Sequence, residues 1–293
     1  MNRYTRYITV AGRTIITRII EDIVPSPRTK GRGRKPKINP TRPDVAKINK
    51  KNQERKLTAI LNSNFHPGDL WVRLSYPDVL DLDAAMKAVS KFKRKLREHA
   101  RKNELPYKLI ECIGQSESGK LHHHLVINQE IPEDVIRECW PEEYINIRPL
   151  WKEANRGNYQ RVAAYILKNA LETKDKRGKH KRAWRPSKGL VTPETVKRIM
   201  TGEPELDPEC LKTFKGYIVD TNSISAYDDT RRNVRCVEYI QCSIDPNPPV
   251  KRSTRFGSIV RETPWYEEDE QLELDMYDQD WRVTNERLSA ACK

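Results

Sequence analysis

The sequence has no segment that marks a membrane or an exported protein. None of its 293 residues belongs to a run of about eighteen apolar side chains, the length that crosses a bilayer. The start, Met1–Tyr7, carries no apolar signal-peptide core. We therefore expect a soluble cytoplasmic protein that has no membrane partner.

Two further motifs are absent, and each absence removes a class of protein. There is no Gly-x-x-x-x-Gly-Lys-Ser/Thr loop, so no helicase or other P-loop module is predicted. The six cysteines form no Cys-x-x-Cys pair and share no recurring spacing; they are Cys112, Cys139, Cys210, Cys236, Cys242 and Cys292. This pattern predicts neither a zinc site nor a disulfide framework, and it suits a reducing compartment.

Apolar residues are scarce relative to charged ones. Hydrophobic residues make up 37% of the chain and charged residues 33%, which is too polar for one continuous core over the full length. The formal net charge of +14 favours a polyanionic partner such as nucleic acid. The charge is unevenly spread: residues 1–56 carry 16 Lys/Arg against 4 Asp/Glu, whereas residues 261–293 carry 4 against 10.

The segment Pro25–Lys37 mixes basic residues with Gly and Pro, a composition that does not bury a core. Arg32, Arg34 and Lys35 belong to it. We predict an arm that follows DNA phosphates, and the alternative is a solvated tail.

Three of the six histidines follow one another in a predicted hairpin. Tyr107–Ile113 and Leu121–Ile127 are rich in strand-forming residues and are joined by a loop of Gly, Ser and Gln. Because side chains alternate along a strand, His122 and His124 point the same way and His123 points away.

The pairing of the two strands decides what lies beside the histidines. If Ile113 pairs with Lys120, Glu111 lies opposite His122, and a register shifted by two residues puts it opposite His124. Both registers gather Glu111, His122 and His124 on one face, where they would form a site for Mg, Mn or another divalent ion. The alternative is a hydrogen-bonded histidine pair without a metal.

A second pattern lies downstream, in the predicted helix Asn158–Ala170. At 3.6 residues per turn its apolar face consists of Tyr159, Val162, Ala163, Ile166 and Ala170. The opposite face consists of Arg161, Tyr165, Lys168 and Glu172. A tyrosine with cations one turn away on both sides is suited to attack a phosphodiester, because the cations hold the phosphate oxygens. The alternative is an ordinary surface tyrosine.

The two patterns together resemble the HUH endonuclease superfamily, in which a His-hydrophobic-His strand precedes a Tyr-x-x-Lys helix. Here the residues are His122-His123-His124 and Tyr165-Ile166-Leu167-Lys168. The strand Leu70–Pro77 lies at the place of the family's first motif, where Arg73 and Ser75 replace the usual threonines. Roughly residues 50–190 are similar to the single-tyrosine rolling-circle replication initiators of bacterial phages and mobile elements.

The resemblance implies a metal-dependent nicking and strand-transfer endonuclease acting on single-stranded origin DNA. Tyr165 would form a 5′-phosphotyrosine link, and Lys168 and Arg161 would steady the phosphate. A host polymerase would extend the free 3′-hydroxyl and a host helicase would unwind the duplex, in the cytoplasm of a bacterial host. A relaxase or a single-tyrosine transposase would share this chemistry, and a non-catalytic single-strand-binding protein is the alternative from another class.

The remaining segments complete the predicted organisation. Strand, helix, hairpin, helix, strand and tyrosine helix, in this order, predict an α+β fold with a central antiparallel sheet flanked by helices. Residues 1–56 would be a hairpin and basic arm, 57–190 the nuclease domain, 191–260 an accessory region and 261–293 an acidic tail. Within the accessory region, Thr192–Met200 is predicted as a short helix, and Gly216–Val219 and Val234–Cys242 as strands.

Basic residues around a tryptophan follow the tyrosine helix. They are Arg177, Lys179, Lys181 and Arg182, with Trp184. Such a segment suits a single-strand groove, where charge holds the backbone and the indole stacks on a base. The alternative is a surface loop with Trp184 packed onto the core.

Overall fold

The computed structural model describes residues 3–21, 43–116, 118–141, 144–150, 156–172, 182–204, 206–229 and 233–245. The chain divides into two compact units: the terminal unit, Met1–Arg55 with Pro193–Lys293, and the central unit, Lys56–Thr192. The predicted arm at Pro25–Lys37 and the predicted acidic tail at 261–293 lie outside the described residues. No helix among the described residues is long and apolar enough to span a membrane.

The helices and strands follow the predicted succession along most of the chain. The helices of the described residues are α1 (Pro43–Asn64), α2 (Leu82–Lys102), α3 (Glu133–Cys139) and α4 (Gln160–Glu172). The strands are β1 (Arg3–Ala11), β2 (Thr14–Glu21), β3 (Leu70–Ser75), β4 (Leu109–Gln115), β5 (Leu121–Ile127), β6 (Ile145–Pro149), β7 (Arg185–Pro186), β8 (Thr195–Thr201), β9 (Tyr217–Asp229) and β10 (Val234–Ser243).

The central unit is built on a five-stranded antiparallel sheet with the strand order β6-β3-β5-β4-β7. The predicted α+β class, with the histidine hairpin in a central antiparallel sheet flanked by helices, is confirmed. Strand β5 lies in the middle of the sheet and is buried along its whole length. Its histidines are therefore held by packing on a rigid element.

Each face of this sheet has its own apolar core. Helices α2 and α3 pack with one set of strand side chains, which includes Leu74, Ile113 and Leu125. Helix α4 and the end of α1 pack with the alternate set, which includes Trp71 and Val126. We call these two sides of the sheet the α2 face and the α4 face. A side chain on the central strands is thus assigned to one layer or the other by its position in the alternation.

The terminal unit contains a second five-stranded antiparallel sheet, with the order β8-β1-β2-β10-β9. Strands β1 and β2 form the predicted N-terminal hairpin around Gly12, whose φ of 58° suits the first position of a two-residue turn. The structure joins this hairpin to the strands after residue 192 in one sheet, whereas the sequence predicted two separate regions. An isolated hairpin is marginally stable in water, so pairing with β8 and β10 supplies what it lacks.

One predicted element is wrong. Thr192–Met200 was expected to be a helix, but strand β8 occupies Thr195–Thr201 and pairs with β1. Exposed and half-buried side chains alternate along β8, and its Thr, Val and Ile residues favour a pleated strand. Pairing with a strand almost two hundred residues away decided the outcome, and local sequence does not report such a partner.

Candidate active site

The register of the β4–β5 hairpin decides which of its side chains meet. Gly114 pairs with His122, and Glu111 pairs with Leu125. Because paired residues project on the same side of a sheet, His122 and His124 lie on the α4 face, whereas Glu111 and His123 lie on the α2 face. The prediction that Glu111, His122 and His124 gather on one face is therefore wrong.

The predicted register was built on a loop of the wrong length. Ile113 was paired with Lys120, but it pairs with His123, three residues further along the chain. Ser116 N donates to Lys120 O at 2.9 Å and closes the loop one residue before Leu121. A register shift by an odd number of residues moves every side chain of one strand to the other face, and this shift carried Glu111 away from the histidine pair.

Glu111 lies at the centre of a closed ionic network on the α2 face. It is fully buried, and Lys93 Nζ donates to its Oε2 at 2.7 Å. Its Oε1 accepts from His123 Nδ1 and from Arg185 Nη1, both at 3.2 Å. Burial would raise the pKa of Glu111, but the hydrogen bond and charge of His123, followed by the charges of Lys93 and Arg185, lower that pKa to about 2. Glu111 is thus an ionised counter-ion for three side chains.

His123 completes this network and is turned away from the other two histidines, as predicted. Its Nε2 lies 3.0 Å from the Tyr76 hydroxyl, which itself donates to Ala85 O at 3.0 Å. Its Nδ1 donates to Glu111. Both ring nitrogens of His123 therefore have partners on the α2 face.

The α4 face holds the other two histidines, and their surroundings differ. The ring centroids of His122 and His124 lie 4.8 Å apart, and the exposed fractions of the two residues are 5% and 1%. Both ring nitrogens of His124 are buried, and neither has a hydrogen-bond partner. Burial, together with the nearby His122 and Arg73, lowers the pKa of His124 to about 3, so its ring is neutral and keeps a lone pair.

This pair fits a divalent cation better than any other described part of the chain. Metal ligation requires neutral imidazole, and a metal would satisfy a buried nitrogen that lacks a hydrogen bond. Across the described ranges, no group of three or more His, Cys, Asp or Glu side chains converges. His122 and His124 are therefore the two ligands that the described residues offer, and Glu111 does not fit as the third.

Gly114 makes room for the first of these ligands. A Cβ atom at this position would lie 2.7 Å from Nε2 and 3.1 Å from Cε1 of His122, closer than packed atoms allow. Glycine in the interior of a strand weakens the strand and often marks a close approach of another group. Here that group is the His122 ring. An isolated glycine inside an apolar strand is thus the signal by which this approach could have been found in the sequence.

Helix α4 presents its two predicted faces. The residues predicted to be apolar and buried are buried, including Tyr159 at 0% exposure. Arg161 and Lys168 are exposed, and Tyr165 is 48% exposed. The helix therefore offers Tyr165 at its accessible side and uses Tyr159 for packing.

Tyr165 lies against the histidine pair. Its ring centroid is 5.1 Å from that of His124 and 5.6 Å from that of Trp71. Trp71 is itself 5.4 Å from His124, so the three rings form one cluster. Edge-to-face aromatic contacts at such distances hold side chains in defined orientations. Trp71 was predicted to lie on a strand, but its part in the site was missed.

The residues predicted to contact DNA have different outcomes. Arg182 is exposed, and Trp184 is partly buried and packs against the core of the α4 face. The packing of Trp184 matches the alternative in which the indole covers the core. Six predicted residues lie outside the described residues: Arg32, Arg34, Lys35, Arg177, Lys179 and Lys181.

Comparison with known families gives one match. Residues 69–170 match the model of a family of replication-associated proteins of the ORF2 type. The matched segment runs from the start of β3 into α4, so it includes the histidine pair, Trp71 and Tyr165. Comparisons with curated proteins and with solved structures find no match. The similarity to a replication-associated family extends over roughly a third of the chain and supports a part in DNA replication.

Proposed function

We propose that the protein initiates rolling-circle replication by nicking and rejoining single-stranded origin DNA through a covalent link to Tyr165. One observation carries the proposal: the half-exposed Tyr165 ring lies 5.1 Å from His124, whose buried nitrogens have no hydrogen-bond partner. A nucleophile beside a neutral imidazole pair is the arrangement that phosphoryl transfer at a metal requires. The match of residues 69–170 to a replication-associated family supports the biological setting.

In the proposed reaction, Tyr165 Oη attacks the scissile phosphorus. The bond from phosphorus to the 3′-oxygen breaks, and a 5′-phosphotyrosine forms. The phenol gives up one proton and the departing 3′-oxygen takes up one, so the transfer consumes no water. Because the new bond conserves the energy of the phosphodiester, a 3′-hydroxyl can attack it and reseal the strand.

Several side chains around Tyr165 would share the work of positioning and charge. His122 and His124 would hold a divalent ion, Mg or Mn, which polarises the phosphate when bound. Lys168 and Arg161 are exposed on the same helix and would hold the phosphate oxygens. Trp71, packed against both rings, would keep Tyr165 beside His124.

This chemistry needs two partners from the host. The free 3′-hydroxyl would be extended by a host polymerase, and a host helicase would supply the unwinding, since the sequence contains no P-loop.

The test is a covalent-adduct assay with labelled single strands and Mn²⁺. A label at the 3′ end of the DNA should migrate with the protein on a denaturing gel, whereas a label at the 5′ end should appear on a shortened free strand. The asymmetry follows from attachment of Tyr165 to the 5′-phosphate of the downstream fragment. Candidate origin strands and a mixed-sequence pool serve as substrates.

Peptide mapping of the trapped adduct then identifies the nucleophile. The nucleotide should be found on the peptide that contains Tyr165. A nucleotide on another peptide, or labels with the opposite asymmetry, would contradict the proposed chemistry.

A further inference from the structure

The α4 face continues from the histidines across β3 to the edge strand β6. Arg73 on β3 lies directly opposite His124. On β6, Asn146 lies opposite Arg73, and Arg148 lies opposite Trp71. Paired residues share a face, so all of these side chains project on the side that carries Tyr165.

The row on β6 extends by one more residue. Ser75 N donates to Tyr144 O at 2.9 Å, which continues the ladder between β3 and β6 past its last strand pair. Ser75 in turn lies opposite His122. Tyr144 is therefore aligned with the His122 row, and it is 58% exposed, an unusual exposure for a large aromatic ring.

Strand β6 has one apolar side and one polar side. Ile145 and Ile147 pack against the core of the α2 face. The alternate residues, Tyr144, Asn146 and Arg148, are all exposed. Packing accounts for the two isoleucines, and it gives no account of an aromatic ring, an amide and a guanidinium placed in line on the outer side. We call these three residues together with Arg73 the edge row.

The edge row is electrostatically joined to the histidine site. The Arg148 guanidinium lies 6.0 Å from the Trp71 ring, which contacts both His124 and Tyr165. Strands β3 and β6 contain no acidic residue. Arg73 and Arg148 both act on the pKa of His124, so their charge is felt at the site. The surface beside the nucleophile is thus prepared for a strongly negative ligand.

We infer that the edge row binds the stretch of single-stranded DNA that adjoins the scissile phosphate. Arg73 and Arg148 hold backbone phosphates, Tyr144 stacks on an unpaired base, and Asn146 hydrogen-bonds a base edge. This inference rests on the proposed function for its choice of ligand. Strand β6 lies two strands from β5, roughly 10 Å away, so the nucleotides involved are close neighbours of the cut phosphate. Stacking needs a base that is free of its partner, which selects single strands over duplex DNA.

The first test measures the binding of a fluorescein-labelled, mixed-sequence single strand to the full chain without metal. Tyr144→Leu should weaken binding about tenfold, because it removes a stacking platform, and Tyr144→Phe should bind like the unmodified protein. Arg73→Ala and Arg148→Ala should each lower the log-log salt slope by about 0.7, the change expected for one phosphate contact on a single strand. The matched control is Arg94→Ala, an arginine with 67% side-chain exposure on α2.

A second readout locates the contact. A strand carrying iodouracil should crosslink on irradiation to the peptide that contains Tyr144. If Tyr144→Leu lowers affinity for a matched duplex as much as for the single strand, the stacking role is overturned. If every edge-row variant binds like Arg94→Ala and no crosslink reaches Tyr144, the whole inference is overturned.

The two proposals fail in distinguishable ways. If an adduct forms on Tyr165 while the edge-row variants bind normally, the edge row does not bind DNA and the proposed function stands. If the edge-row variants weaken single-strand binding while no strand yields an adduct, the binding surface stands and the proposed nicking chemistry fails.

Discussion

The two faces of the central sheet treat consecutive histidines of one strand in opposite ways. On the α2 face, both ring nitrogens of His123 have partners, and the carboxylate of Glu111 is paired with Lys93 and Arg185. On the α4 face, the equally buried His124 has no partner for either nitrogen. Buried polar groups in folded proteins are almost always satisfied, so the second face lacks a group that the first face already contains.

The placement of Glu111 also sets the charge of the opposite face. Its carboxylate neutralises cations on the α2 face and is out of reach of the histidine pair. The α4 face keeps the exposed cations Arg73, Arg148 and Lys168 near Tyr165. A phosphodiester brought to this face would meet cations and a nucleophile, which is the condition that strand transfer needs.

The largest expected effect is the loss of the nucleophile. Tyr165→Phe removes the attacking oxygen and keeps the ring that packs on His124 and Trp71. We expect single-strand binding to remain and covalent adduct formation to disappear completely, as judged on denaturing gels with a 3′-labelled strand. Tyr159→Phe is the matched control on the same helix, and it should retain the adduct because Tyr159 is fully buried in the core. Adduct formed by Tyr165→Phe would move the nucleophile elsewhere and remove the functional meaning of the α4 face.

The succession of elements and the faces of α4 were predictable because they depend on local periodicity. Helix α3 was predicted at Glu133–Cys139 and lies there, and the buried stripe of α4 matches the expected positions. The partner of Glu111 was not predictable in the same way, since it depends on a loop whose length shifts the whole register. Arg185, which lies 74 residues from Glu111 in the chain, had no local signal that tied it to the hairpin.

The next effect tests whether the histidines differ as their faces do. His124→Ala should weaken Mn²⁺ binding by more than about 100-fold, since even groups that only support a ligand contribute about 10–100-fold. His123→Ala should leave Mn²⁺ affinity nearly unchanged and destabilise the fold by about 1–3 kcal/mol, because it leaves Glu111 without one partner. Metal titration followed by electron paramagnetic resonance gives the first quantity, and urea denaturation gives the second. The reverse pattern, with His123→Ala losing the metal, would contradict the observed register.

A smaller effect should appear when the closed network loses its charge. Glu111→Gln should destabilise the protein by about 3 kcal/mol at neutral pH, because the carboxylate has a pKa of about 2 in the fold against an ordinary value of 4.5. A depressed pKa gives stability that is complete above the ordinary value and is lost as the pH falls toward the folded value. The difference between the two proteins in urea denaturation should therefore be constant above about pH 5 and shrink between 4.5 and 2.

The control for this change is a carboxylate without burial. Glu98 is 62% exposed and pairs only loosely with Arg94 at 3.9 Å, so Glu98→Gln should change stability by less than about 0.5 kcal/mol. A difference for Glu111→Gln that persists unchanged at low pH would mean that packing, and not charge, makes the α2 face stable.

The smallest expected effect concerns the residue that lets the two faces differ. Gly114→Ala would place a Cβ 2.7 Å from His122 Nε2, so the ring must move by several tenths of an ångström. Since the ring is confined at 5% exposure, the displacement should reach its ring nitrogens and lower Mn²⁺ affinity by about tenfold, in the range of changes that misorient a ligand. Cys112→Ala is the neighbouring control, because Cys112 pairs with His124 on the same face and losing its sulfur adds no atom near either ring. We expect Cys112→Ala to keep the metal affinity of the unmodified protein. Equal Mn²⁺ affinity in Gly114→Ala and the unmodified protein would show that the His122 ring does not hold the ion in the orientation seen here, and the metal site would then depend on His124 with ligands from elsewhere.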